Sequence, residues 1–198
     1  MTTEQARTNT QTAHQVWGFD PAHTLIEFSI KHMMFTTVRG RFNQFEGSIV
    51  GNPDDPRSAT CKVTIQAASI DTGNEQRDQH LRSADFLDVE KYPVITFETT
   101  RVEPKSKDHF SVFGDLTIRD QTREVEMDVA LNGIGQSPWG QKVASFTAET
   151  IITRQDWGLT WNVALEQGGV LVGNTAKINI EIEAIPQEQG QEAGVTES

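Results

Sequence analysis

The chain has 198 residues, 36% of them hydrophobic, with a formal net charge of −11 and a pI near 4.8. That length suits one domain with a core of its own, and the acidic balance argues against nucleic acid and against electrostatic attachment to anionic lipid. The single cysteine, Cys61, excludes an intramolecular disulfide and a cysteine-rich metal site, and no run approaches the roughly 18 apolar residues of a membrane span.

Residues 1–15 are polar and carry no apolar signal-peptide core, so they read as a disordered arm. The expected location is the cytoplasm, or the periplasm or exterior if a leader has already been removed. The domain is expected over 16–186, and residues 187–198 read as a disordered tail.

The domain opens with a strictly alternating segment, Ile26-Glu27-Phe28-Ser29-Ile30-Lys31-His32. Strict alternation predicts a β-strand with one buried face, and the parity that buries Ile26, Phe28 and Ile30 carries His32 with them. Val38, Gly40 and Phe42 continue into Phe45, Gly47 and Ile49, and the change of parity between the two runs predicts a bulge. The turn signal Asn52-Pro53-Asp54-Asp55-Pro56 leads to Cys61, Val63, Ile65 and Ala67.

One helix interrupts the strands, near residues 74–90. Thr72 and Glu75 have the spacing of a capping box, and Asp78 and Arg82 have that of a helical ion pair. The residue before Pro93 ends it at the latest. Further inward sets follow at Ile95 and Phe97; at Val112, Gly114, Leu116 and Ile118; and at Val125, Met127, Val129 and Leu131. The last two are Ala144, Phe146, Ala148 and Ile152, then Ala176, Ile178, Ile180 and Ile182. Arg119-Asp120-Gln121 and Asn132-Gly133 read as hairpin signals, and 162–167 as a short helical turn closed by Gly168-Gly169. Outward positions are mostly charged or hydroxylated, as in antiparallel strands with one wet face. About eight such strands and one crossing helix predict an all-β closed barrel, with a two-sheet sandwich as the alternative.

The inward set includes many small residues, among them Gly40, Gly47, Cys61, Gly114, Ala144, Ala148 and Ala176. Either they interlock with the large ones, or they leave room for one slender ligand. In the second case the lumen is apolar and its ligand long and apolar. Ile26, Phe28, Ile30 and His32 from the first strand line it, with Met33 and Met34 at an adaptable mouth. Phe42, Phe45, Leu81, Phe86 and Phe97 follow, then Leu116, Ile118, Val129 and Leu131. Phe146, Ile152, Trp157 and Ile178 complete the candidate ligand-binding set.

Motifs for hydrolysis, metalloprotease chemistry and nucleotide binding are absent. Gly133-Ile134-Gly135 begins like a dinucleotide fingerprint, but Pro138 stands where the third glycine belongs. The five histidines show no ligand spacing, so no metal and no catalytic residue is expected. Arg77, Asp78, His80 and Arg82 crowd one helix, and ion pairing with Leu81 as the anchor accounts for them. Trp157 and Trp161 read as packing, or as cover for a barrel end.

Trp17, Asp20, His23-Thr24, Lys31-His32 and Val38-Arg39-Gly40-Arg41-Phe42 resemble the opening of the YceI-like family. Ile70-Asp71-Thr72-Gly73, the run from Arg77 to Phe86, Pro93-Val94-Ile95-Thr96-Phe97, Gly114-Asp115-Leu116-Thr117-Ile118-Arg119 and Arg154-Gln155-Asp156-Trp157-Gly158 extend the likeness over about residues 16–184. Asp120 stands where the family often has glycine, and Trp157 where phenylalanine is common. The resemblance implies a lipocalin-like barrel that carries or stores a polyisoprenoid, such as a polyprenyl phosphate, polyprenol or quinone tail. It also implies a homodimer as in some members; with the acidic charge, the expected partners are that lipid, no nucleic acid and at most a transient membrane contact, with no further cofactor. A non-enzymatic binding protein is therefore expected, with His32 as head-group contact. The alternatives are an enzyme on a small amphiphile using His32 or His80 as general base, and a filled barrel acting through its acidic surface.

Overall fold

Alternating strands dominate the computed structural model, which describes residues 15–52, 55–166 and 168–187. In chain order they are β1 (Gln15–Phe19), β2 (Leu25–His32), β3 (Thr36–Phe42), β4 (Phe45–Asn52), β5 (Asp55–Gln66) and the two-residue β6 (Ile70–Asp71). The helix α1 (Glu75–Arg82) precedes β7 (Val94–Pro104), β8 (His109–Ile118), β9 (Gln121–Gln136), β10 (Lys142–Thr153) and β11 (Val172–Pro186). All pairings are antiparallel. They run β1-β4-β5-β7-β8-β9-β10-β11, and β11 returns to β1, which closes the barrel. The sandwich alternative is excluded by that closure.

The ring has eight staves because two are broken. β11 pairs with β1 through Ala184–Pro186 and with β2 through Val172 and Ala176–Glu181, so β1 and β2 share one position. β3 pairs with β2 and β4 with β1, so these two share the next. The bulge expected between Phe42 and Phe45 is the bend at Asn43-Gln44, where the chain passes from one partner to the other. Gln15 belongs to β1, and the Gln187 N–H donates to the Val16 carbonyl at 2.8 Å, so these two residues extend the domain beyond 16–186. The remaining arm and tail residues lie outside the described ones. No helix of the described residues is long and apolar enough to cross a membrane.

Local chemistry explains where elements end. Ile118 pairs with Gln121, so Arg119-Asp120 is a two-residue hairpin turn with Arg119 at φ 57°, as expected of β-hairpins. Asn132-Gly133 is not a turn. Ser145 pairs with Gly133 and Phe146 with Leu131, which leaves Asn132 as the extra residue of a β-bulge inside β9. The turn comes at Ser137–Gln141 instead.

The helix is shorter than the 74–90 span. Its N-cap is Asn74, whose Oδ1 accepts the Arg77 N–H at 3.0 Å. Thr72 instead gives its N–H and hydroxyl to buried Asp78, at 2.9 and 2.5 Å. Arg82 therefore does not pair with Asp78. It reaches Glu75 at 3.4 Å and donates to the Ala68 and Ile70 carbonyls, both at 2.8 Å, tying the helix to the chain before it. Ser83 ends the helix by turning extended, its N–H and hydroxyl both on the His80 carbonyl. The expected turn of helix over 162–167 is absent among the described residues. Asn162 donates through Nδ2 to the Val172 carbonyl at 2.7 Å and accepts the Val172 N–H at 3.0 Å, which draws the segment into a loop alongside β11. The nearby helical turn is Arg154–Trp157, a 3-10 turn.

Candidate functional site: an apolar lumen with one capped end

The inward faces of the staves enclose a cavity of about 520 Å³, within the range of small-molecule sites. Small inward residues divide into two groups. A Cβ on Gly40 would lie 2.4 Å from the Phe28 ring, and one on Gly114 would lie 2.3 Å from the Phe97 ring, so these glycines make room for aromatic rings. Cys61, Ala144, Ala148 and Ala176 line the cavity itself. The interlocking and the empty-lumen readings thus each hold for part of the inward set.

Most of the candidate residues border this space. Ile26, Phe28, Ile30 and His32 line it from β2 and Phe42 from β3. Leu81 and Phe86 do so from α1 and the turn after it, and Phe97, Leu116 and Ile118 from β7 and β8. Val129 and Leu131 of β9, Phe146 and Ile152 of β10, and Ile178 of β11 complete the group. Four candidates lie elsewhere. Met33 and Met34 sit at positive φ (49° and 66°) in the β2–β3 hairpin, 42% and 56% exposed, because the tight turn swings them out of the strand's alternation. Phe45 is the half-buried first residue of β4, beside the bend, and does not reach the cavity. Trp157 is buried in the core, held there by its indole N–H on the Leu116 carbonyl at 3.0 Å.

One end of the lumen is roofed. His80, Leu81, Phe86, Leu87, Leu159 and Trp161 line it there. The His80 ring stands edge-on to Phe86 and Trp161, at 5.0 and 4.5 Å between centroids, and its Nε2 lies 2.8 Å from Asp85. His32 reaches the same end from β2, opposite Val172. Toward the other end the lining passes to Trp17, Phe19, Phe110, Ala144 and Ile182.

Arg154 is among the lining residues that the strand patterns did not single out. It is 3% exposed, and burial lowers its pKa from the ordinary arginine value. Its Nε donates to the Gly173 carbonyl at 2.9 Å and its Nη1 to that of Leu159. Continuing the inward parity of β10 one step past Ile152 reaches it, which is the signal that would have found it.

Two further groups carry titratable side chains. Outside the barrel, Asp20, His23 and Glu183 gather their ligand atoms within 4.8 Å. His23 Nδ1 lies 2.7 Å from Asp20 and 3.7 Å from Glu183. The hydrogen bond with Asp20 raises the imidazole pKa and lowers that of the carboxyl, so the group reads as a surface ion pair that joins the β1–β2 turn to β11. Cys61 faces the lumen, and burial pushes its thiol up to about 12. Since the thiolate is the nucleophile, alkylation near pH 8 is expected to run about a thousandfold slower than for a free cysteine and to gain rate steadily with pH. Iodoacetamide kinetics followed by mass spectrometry check this, and a free-cysteine rate refutes it.

The domain model of the YceI-like family matches residues 17–184. A UPF0312 protein of Staphylococcus epidermidis is 40% identical over 168 residues, covering 84% of this chain and 95% of its own. Among solved structures, the YCEI protein of Campylobacter jejuni superposes with a TM-score of 0.69 at 26% identity, covering 95% of this chain and 98% of that one. A polyisoprenoid binding domain from Saccharophagus degradans gives a TM-score of 0.64 at 13% identity, over 87% of this chain and 99% of that one, a likeness of fold.

Proposed function

The chain belongs to the YceI-like domain family, and we propose that it is a non-enzymatic binding protein that carries or stores a long-chain isoprenoid lipid in its barrel. The observation that carries this reading is the apolar lumen, about 520 Å³, lined by aliphatic and aromatic side chains from every stave. A tail placed there leaves water at about 25 cal/mol per Å² of apolar surface, against the cost of ordering a flexible chain. A polar substrate would lose its hydration with few partners to replace it. The name of the Saccharophagus degradans relative is consistent with such a ligand, and the fold likeness extends that suggestion to this chain.

Loading from a membrane would use the β2–β3 hairpin, where Met34 and Phe35 are 56% and 82% exposed beside the roofed end. Solvent extraction of the purified full chain, with mass spectrometry of the extract, tests the reading. An isoprenoid in native preparations, or one taken up on reconstitution, is the expected result; finding neither refutes it. The catalytic alternative rests on the His80–Asp85 pair at the lumen wall, a histidine oriented by a carboxylate. It requires turnover that a His80→Ala variant loses while keeping ligand binding.

A further inference from the structure

The chain has 28 aspartates and glutamates, yet residues 28–45, which hold the β2–β3 hairpin, include none. They carry three cations instead, Lys31, Arg39 and Arg41. On the rest of the barrel wall Lys62, Arg101, Lys105 and Lys177 each lie within 3.2 Å of a carboxylate. Arg41 reaches Asp71 at 3.5 Å, whereas Lys31 and Arg39 are exposed and have no ion pair among the described residues. The tip of the hairpin is apolar. Its turn closes with the Phe35 N–H on the His32 carbonyl at 3.2 Å, and both central residues take positive φ. That conformation favours asparagine and glycine. Methionine at both places is strained, and it sets Met33 and Met34 in water beside exposed Phe35. The neighbouring loop adds exposed Val163. The Met33 N–H donates to the Leu171 carbonyl and the Leu171 N–H to that of Val163, at 2.8 and 2.9 Å, which pins Val163 to the hairpin. Glu166 is the one charged residue over 158–175. The corner thus joins four exposed apolar side chains and three cations to a single carboxylate.

We propose that this corner docks on a phospholipid bilayer containing anionic lipid: Met33, Met34, Phe35 and Val163 enter the head-group layer, and Lys31 and Arg39 meet its phosphates. This rests on the isoprenoid reading above, whose cargo comes from a membrane, and it names the surface that the protein loads from. The net charge of −11 does not oppose it. Screening limits the reach of charge to about 8 Å at physiological ionic strength, so a membrane meets the local balance and not the total. A protein partner fits less well. A stable protein interface takes about 20–30 residues a side, and a convex tip of four side chains falls far short of that. A bilayer needs only a few apolar side chains with basic residues behind them, and the flexible methionine thioether adapts to such a layer. Docking also brings the lumen to the lipid, since Lys31, His32 and Val38 line the cavity at this end.

The test is co-sedimentation of the full chain with large vesicles that hold no isoprenoid, made of phosphatidylcholine alone or of a two-to-one mixture with phosphatidylglycerol. Wild type is expected to prefer the mixed vesicles by about 25-fold, from about fivefold for each unpaired cation. Added salt is expected to erase that preference. A variant carrying Lys31→Gln and Arg39→Gln is expected to lose it, and Phe35→Ser to weaken binding to both vesicles by about tenfold. All three positions are exposed, so the variants are expected to melt like wild type. Trp139→Ser removes the exposed tryptophan of the β9–β10 turn, at the opposite end of the barrel, and is expected to change neither affinity. No binding by wild type, equal affinity for the two vesicles, or a loss on Trp139→Ser that Phe35→Ser does not reproduce overturns the docking surface. Self-association that Phe35→Ser abolishes, without vesicle binding, assigns the tip to a second copy and overturns it too. None of these outcomes touches the extraction test of the lumen. Vesicle binding by a protein that takes up no isoprenoid refutes the cargo and leaves the docking surface standing.

Discussion

Replacing Ala148 by tryptophan is expected to abolish tail binding while leaving the barrel folded. Ala148 is 4% exposed, lines the cavity, and sits in the ladder between Val129 of β9 and Ile180 of β11. An indole there occupies space that a ligand would use. Excluding one five-carbon isoprene unit removes about five methylene-equivalents of burial, about 4 kcal/mol at 0.8 kcal/mol each, or roughly a thousandfold in affinity. Ala148→Leu is expected to fall between wild type and tryptophan. Stability supplies the second readout. In a filled core the same substitution overpacks and costs about 1–3 kcal/mol or more, whereas an empty lumen accepts the ring with little loss. Titration with a fluorescent isoprenoid and thermal melts of the same samples separate the cases. Unchanged affinity in a folded Ala148→Trp protein places the ligand elsewhere, and a large loss of stability with no cavity to fill refutes the container reading.

Strand parity made most of this lumen legible from the amino acids alone. Ile26, Phe28, Ile30, Phe97, Leu116, Phe146 and Ile178 border the cavity because a period of two fixes which face each side chain takes, whatever its distant partners are. His32 follows the same logic. What parity does not encode was harder to read. β1 is five residues, Gln15–Phe19, with too few alternations to register, yet it closes the ring. Asn132-Gly133 has hairpin chemistry but sits in a bulge, since the pairing of β10 on both sides of Asn132 overrides a local turn preference. Thr72 and Glu75 have capping-box spacing, but buried Asp78 competes for both Thr72 donors, and the cap moves to Asn74. Met33 and Met34 suit an adaptable mouth by residue type, but the tight hairpin at positive φ turns them outward. Arg154 lies one step past the last apolar residue of β10, where apolar patterning stops marking the inward face. Its burial comes from the 3-10 turn and from the β11 carbonyl that accepts its Nε.

Trp157→Ala is expected to be among the most destabilising single substitutions in the chain and to act on the core rather than on the ligand. Trp157 is 3% exposed in the same buried cluster as Leu116, Ile118, Ile152 and Leu159, outside the cavity lining. Truncating a buried tryptophan costs about 3–5 kcal/mol through lost apolar burial and the void left behind. For a domain of this size about 4 kcal/mol corresponds to a fall in Tm of roughly 8–16 °C. Trp157→Phe keeps most of the ring and removes the indole N–H. It leaves the Leu116 carbonyl without that donor, at a cost of about 1–3 kcal/mol. Denaturant melts rank the two variants, and isoprenoid binding measured below their transitions tests the division between core and lumen. Affinity within a few-fold of wild type is expected for Trp157→Phe, because nothing on the lumen wall has moved. A tail affinity that drops in step with Trp157→Phe, at unchanged stability, would instead place the indole against the ligand. That result would return Trp157 to the binding surface and extend the lumen beneath the 3-10 turn.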